Sequence, residues 1–186
     1  EEEKYSAYQA GLKRFEYKLA YNTSRTTKDR LFTWDELAKR VYSNYTTVTD
    51  KETKRTNDLV GDMKVKDLSS EMEKISATEH YLKTKFTTRD DIGGEDAMNL
   101  EKVIKSKLAS HVGIVRLYSA VFRQLGIAHE FVLAGDRNKF TIEKNFENWN
   151  NTDNPLIYFP SLKKYLAPTL PEFRFPWIDP NWGGTN

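Results

Sequence analysis

The sequence contains no cysteine among its 186 residues, which removes disulfides, thiolate metal sites and thiol nucleophiles together. Proline is missing from residues 1–154: all six (Pro155, Pro160, Pro168, Pro171, Pro176 and Pro180) stand in the last 32 residues. The first part is therefore free of helix breakers and should be helical. Long apolar runs are lacking too. No stretch approaches the roughly 20 residues that a bilayer helix needs, so no transmembrane segment is expected. Charge of one sign is not in excess, since 29 Lys+Arg against 27 Asp+Glu leave +2, with no basic stripe for a polyanion. Nucleic acid is not an expected partner. The chain opens on Glu1-Glu2-Glu3-Lys4 without a basic and then apolar leader, which suits either a cytoplasmic protein or a piece of a longer one.

The length suits one domain with a single core. Ten of the 24 aromatic residues lie after residue 137, which favours strands and packed loops there. Apolar residues at helical spacing (Tyr8, Leu12, Phe15, Leu19) predict a helix from Tyr5 to about Tyr21. Thr33 and Glu36 have the spacing of a capping box and predict a helix from Trp34 to about Tyr42. Ser70 and Glu73 predict another, through Ile75 and Leu82 to Phe86. Between them the Thr-rich stretch from Thr46 to Thr56 reads as a polar connector.

Beyond Gly93-Gly94 comes an amphipathic piece around Leu100, Val103, Ile104 and Leu108. The most apolar helix follows, from Val112 to Leu125, with a polar strip only through Arg116, Ser119 and Arg123. Such a helix lies at the centre of its domain, and Gly126 ends it as a C′ glycine. The period then changes to two over Ala128–Ala134, which predicts a strand. Further strands are expected near Phe140–Phe146, Leu156–Phe159 and Lys164–Ala167, joined by connections too short for crossovers and therefore antiparallel. The fold class is α+β, with N-terminal helices and a buried central helix packed on an antiparallel sheet. Residues 1–65 form the N-terminal helical segment and residues 66–186 the α+β core, together one compact unit.

The buried helix ending in Leu125-Gly126-Ile127, followed at once by the strand Ala128–Ala134, resembles the central unit of transglutaminase-like domains, which have the papain-like cysteine-proteinase fold. The resemblance spans residues 66–180. It extends upstream to Glu79-His80-Tyr81-Leu82-Lys83, similar to the helix that leads into this domain in bacterial multi-domain proteins of unknown function. In that family the helix begins at the nucleophilic cysteine, about fifteen residues before the glycine, and that place is His111 here. Phe146-Glu147-Asn148-Trp149 resembles the histidine strand with Asn148 in the histidine place. Ala167-Pro168-Thr169 resembles Asp-Pro-Thr with Ala167 in the aspartate place. All three catalytic positions are replaced. The chemistry needs a thiolate activated by an oriented imidazole, and imidazole, amide and methyl do not reproduce it.

The resemblance implies a catalytically inactive domain, a structural or protein/peptide-interaction module of a larger bacterial protein. Its partners would be neighbouring domains or a peptide ligand, its location extracytoplasmic, and no metal or cofactor is expected. One rival is a peptide or glycan hydrolase with chemistry relocated to His111 and Glu147, in a cleft that includes Asn148 and Trp149. Another is a carbohydrate-binding module built on the late aromatics. Phe173, Phe175 and Trp177 sit among prolines and read as a docking surface for a following module. His111 at a helix N-terminus would suit an anion, or a metal with Glu147 or His129, but it lacks a ligand at i+3 or i+4. Ser110, His129 and Asp136 supply the residue types of a serine triad without a Gly-x-Ser-x-Gly elbow. The run from Asp90 to Asp96 lacks EF-hand spacing and reads as a solvated acidic loop.

Overall fold

A computed structural model describes residues 11–13, 15–22, 24, 29–89, 91–139 and 141–182. Among these the architecture is α+β: five α-helices, a two-stranded parallel pair and a three-stranded sheet. Helix α1 (Trp34–Thr46) starts at the expected box: Glu36 N donates to Thr33 Oγ1 at 3.2 Å and Thr33 N to Glu36 Oε2 at 3.0 Å. Helix α3 (Glu71–Lys85) has the same device in Ser70 and Glu73, and both boxes satisfy otherwise orphaned N–H groups.

The expected connector at Thr46–Thr56 is instead largely helix α2 (Asp50–Met63), opened by a third capping box in which Thr49 and Glu52 bond reciprocally. The threonines that suggested a loop are accommodated. Thr49 caps, and Thr56 Oγ1 donates back to the Glu52 carbonyl at 2.8 Å. The buried stripe of α2 is Glu52, Thr56, Leu59, Val60 and Met63, so its first half is polar and gives no hydrophobic period.

Helix α4 (Leu100–Ser106) and the central helix α5 (His111–Gln124) both pack against α2. The short strands β1 (Thr87–Thr88) and β2 (Leu108–Ala109) pair in parallel and lead into α5. Ser110 caps α5, accepting from Gly113 N at 3.1 Å and donating to the Ala97 carbonyl at 3.1 Å. A Cβ at position 113 would collide with that same carbonyl, so glycine is what allows this loop to lie on the first turn. At the other end Gly126 takes a left-handed φ of 67°.

Nine residues of α5 are buried, and its polar strip is turned to neighbouring groups, with only Arg116 Nε of the strip buried without a hydrogen-bond partner. Arg116 donates to the Asn44 carbonyl at 2.8 Å and to Glu52 Oε1 at 3.3 Å, while Arg123 donates to the Thr46 carbonyl at 2.7 Å. These carbonyls belong to the last turn of α1, where a cation is favoured. Ser119 turns to His129. Glu52 in turn joins three helices: it closes the α2 box, accepts from Leu100 N at the start of α4 at 2.9 Å and pairs with Arg116 of α5.

The sheet runs β3 (Glu130–Ala134), β4 (Asn154–Phe159), β5 (Lys164–Leu166), with β4 and β5 antiparallel and Ile157 opposite Leu166. Ile157 and Phe159 point into the core, and Phe122 of α5 meets Phe159 edge-on at 5.1 Å. The opposite face carries the tilted pair Tyr158 and Tyr165 at 4.8 Å.

Two expected elements differ. Residues 15–22 are not helical, and the start of the expected Tyr5–Tyr21 helix lies outside the described residues. Its apolar face has no core to enter, since Leu12, Phe15, Leu19 and Tyr21 are all exposed. No strand forms over Thr141–Phe146, and Phe140 lies outside the described residues. That segment is held by turns, with Phe146 N donating to the Glu143 carbonyl at 3.2 Å.

The chain divides into two compact units. One takes the described residues up to Val41, Leu133–Asn154 and those from Asp179; the other takes Tyr42–Val132 and Pro155–Ile178. Residue 65, where a boundary is expected, falls inside the second unit, because α2 packs on the helices that follow it.

Candidate functional site

Among the positions singled out by the resemblance, His111 and Ala167 belong to the second unit, and Glu147, Asn148 and Trp149 to the first. His111 is the first residue of α5 and is exposed. Ala167 directly follows β5 and is 1% exposed, so a methyl occupies an apolar interior place. Asn148 is not on a strand: it caps a 3₁₀ turn at Trp149–Asn151, accepting from Asn150 N at 3.1 Å. The strand that follows β3 in the sheet begins six residues later, at Asn154. Either asparagine brings a carboxamide, which cannot take a proton from a nucleophile.

Glu147 is a structural carboxylate in the first unit. Lys18 lies 2.8 Å from it, Arg30 2.9 Å, and Trp34 N donates to it at 3.3 Å. The Lys18 hydrogen bond, with smaller help from Trp34 and Arg30, holds its carboxyl below the ordinary glutamate value. A group so held is a weaker base. Trp149 is also committed, donating from its indole to the Thr33 carbonyl at 3.2 Å and meeting Phe32 edge-on at 5.2 Å.

Beside these residues the first unit has a cavity of about 370 Å³, lined by Glu16, Trp34, Glu143, Phe146, Asn148 and Asn151 among others. Asn148 Nδ2 donates to Glu16 at 2.9 Å across it. Aromatic faces with planar amides and carboxylates are what a peptide backbone and its side chains require. Sequence reasoning found Asn148 but not Glu16, Trp34 or Glu143, which share no motif with it.

The serine-triad types do not assemble. Ser110 is consumed in capping α5, and His129 pairs with Ser119 instead, at 3.1 Å from Nε2. His129 Nδ1 lies 3.0 Å from the Ile127 carbonyl, which only accepts. Nδ1 therefore carries the proton and Nε2 accepts from the Ser119 hydroxyl. This is a serine–histidine pair with an orienting third group, but Ser119 is 0% exposed and no substrate reaches it. Its role is to satisfy polar groups between Phe122 and Phe131.

Burial pushes the His129 pKa below its ordinary value, and the Arg123 charge acts in the same direction against the Ile127 hydrogen bond. The neutral form is thus the folded form. As pH falls through about 6.5 the unfolded chain takes the proton first, so stability is lost on acidification and levels off below the folded pKa. Urea unfolding at pH 8 and pH 5.5 is expected to show a larger acid loss for the native chain than for His129→Gln. Equal losses would remove His129 from the account.

The late aromatics behave differently from one another. Phe175 packs edge-on against Phe159 at 5.6 Å, and the Phe173 carbonyl accepts from Lys83. Trp177 alone of the three is strongly exposed, at 74%. The Lys83 side chain is 3% exposed and lies 3.1 Å from Glu79, whose other oxygen meets Arg174 at 3.4 Å. This network, buried at Glu79 and Lys83 and exposed at Arg174, fastens the Pro-rich segment to α3.

Among the described residues no group of His, Asp and Glu is placed to hold a metal, and no helix is long and apolar enough to cross a membrane. No protein-family model matches the chain. No curated protein matches it significantly. Among solved structures it is similar to a chain described as "Crystal structure of a TGase", with 16% identity and a TM-score of 0.42. The likeness covers 71% of this chain and 36% of that one, so this chain spans about a third of its neighbour's length.

Proposed function

We propose that this chain is a transglutaminase-like domain without catalytic activity, serving as a protein- or peptide-interaction module of a larger bacterial protein outside the cytoplasm. The observation that carries this is the chemistry of the three positions the resemblance picks out: an exposed imidazole at His111, a carboxamide at Asn148 and a buried methyl at Ala167. Support for the fold comes from the order of buried helix, Gly126, β3 and then β4 and β5. Loss of a nucleophile from such a unit costs on the order of 10⁶-fold in turnover. The cavity beside Asn148 is the favoured place for a peptide.

The test has two arms. Incubated with a glutamine-bearing peptide and a fluorescent primary amine, and separately with chromogenic peptide and ester substrates, the chain is expected to give no turnover above buffer. Turnover that His111→Ala or Glu147→Gln removes would establish the hydrolase instead. In the second arm, a displayed library of random 12-residue peptides is expected to yield binders that Trp34→Ala weakens at least about tenfold. A library without binders would defeat the interaction role.

A further inference from the structure

Residues 15–22 of the first unit form no helix, turn or bend, and their exposure alternates with a period of two. That is the periodicity of an extended segment, in which successive side chains take opposite faces. Phe15, Tyr17, Leu19 and Tyr21 are exposed on one face, while Glu16, Lys18, Ala20 and Asn22 are half-buried on the other. The usual arrangement of a surface strand, apolar inward and polar outward, is inverted.

Specific bonds hold the inversion in place. Lys18 Nζ lies 2.8 Å from Glu147, with the two side chains 13% and 14% exposed, and Asn148 donates to Glu16 at 2.9 Å. The Ala20 carbonyl accepts from Leu31 N at 2.8 Å. A slip of one residue would turn the four apolar side chains inward, but it would also pull Glu16 and Lys18 off these partners. The apolar face therefore stays outside, and covering it is favourable.

Its size and chemistry point to a second copy of this chain. Phe15 and Tyr17 are each 89% exposed and Tyr21 57%. Since a fully covered Phe or Tyr buries about 150–250 Å², these three rings present about 350–600 Å² per copy, and Leu19 adds to it. Two such faces come to the lower end of the roughly 1,200–2,000 Å² that stable interfaces bury. None of the four residues carries a charge, and the charged residues of the segment, Glu16 and Lys18, are engaged on the inner face, so two copies do not repel there. An antiparallel two-fold sets Phe15 against Tyr21 of the second copy and Tyr17 against its Leu19. Aromatic then meets aromatic at the ends, and the larger side chain meets the smaller at the centre. We propose that the chain forms a homodimer in which the outward faces of residues 15–21 pack on each other across this two-fold. None of the four lines the cavity beside Asn148, so the dimer stands apart from the peptide reading.

Sedimentation equilibrium of the 186-residue chain tests it. Between about 1 and 200 µM the chain is expected to dimerise reversibly with a Kd on the order of 10 µM, as suits an interface near the lower size limit. Because the contact is apolar, the dimer should not weaken in about 1 M NaCl, where surface ion pairs are screened. Phe15→Ser and Tyr17→Ser change exposed side chains only and should keep the urea midpoint, while each weakens the dimer at least about tenfold. Trp177→Ser removes the exposed ring of the second unit and should leave the Kd unchanged. Three results would overturn the proposal: a monomer throughout, which would leave the face to another partner; a dimer that Phe15→Ser and Tyr17→Ser leave intact; or an equal loss with Trp177→Ser, which would mean unspecific adhesion of exposed rings.

Discussion

Glu52→Ala is expected to destabilise the chain by about 3–5 kcal/mol, as removal of one partner of a buried ion pair does. The residue is 3% exposed. Its carboxylate holds the start of α2 through Thr49, the start of α4 through Leu100 N and α5 through Arg116. Burial alone would push its pKa up, but the hydrogen bonds from Leu100 and Thr49 and the Arg116 charge outweigh it, and the carboxyl ends below its ordinary value. It is therefore folded as an anion. Truncation leaves Arg116, whose side chain is 14% exposed, with the Asn44 carbonyl but no counter-charge. Such a loss is a large part of a typical total of about 5–15 kcal/mol. Urea unfolding followed by far-UV circular dichroism measures it. Adding Arg116→Met should recover part of the loss, since no charge is then left unpaired. A single-variant loss under about 1 kcal/mol would show that water replaces the carboxylate at little cost.

Phe122→Ala is expected to cost about 3–5 kcal/mol by a different route, lost burial plus an unfilled cavity. Phe122 is 0% exposed and stands where three aromatic partners converge: Tyr118 at 5.9 Å, His129 at 5.8 Å and Phe159 at 5.1 Å. It is the place where α5 meets β4, so collapse around the cavity would require helix and sheet to move together. Phe122→Leu, which keeps most of the volume, should lose markedly less. The same denaturant series reads both. Similar losses for alanine and leucine would mean that ring geometry, rather than volume, sets the energy.

Much of the helical part was legible because its signals are local. The boxes at Thr33/Glu36 and Ser70/Glu73 and the glycine at 126 depend on residues within a few positions of each other, and each is where expected. The same kind of signal existed at Thr49/Glu52 and was outweighed by the Thr-rich composition around it. The helix expected from Tyr5 does not extend over residues 15–22 for the opposite reason. Periodicity makes an apolar face, but a face becomes a helix only where a core receives it, and Phe15 is 89% exposed.

The candidate sites were legible in residue type more than in placement. Asn148 was found, yet on a 3₁₀ turn and not a strand, and its cavity partner Glu16 lies 132 residues away in the chain. Lys83 gave no signal at all, since a lysine on an amphipathic helix usually faces solvent. In the fold its ammonium instead meets the Phe173 carbonyl and the Glu79 carboxylate.

By itself, then, the sequence determined what chemistry is excluded: with no cysteine there is no thiolate at the head of α5, whatever the fold. It also determined the helix starts and the central helix, because caps and periodicity act over one or two turns. The tertiary structure alone decided what the polar residues do. It turned Arg116, Ser119 and Arg123 from an exposed strip into partners of Glu52, His129 and the end of α1, and it brought Lys83 to the Phe173 carbonyl and the Glu79 carboxylate. Those outcomes depend on contacts up to 90 residues apart, between Lys83 and Phe173, and the energy of a polar group is set by its partner once water is gone.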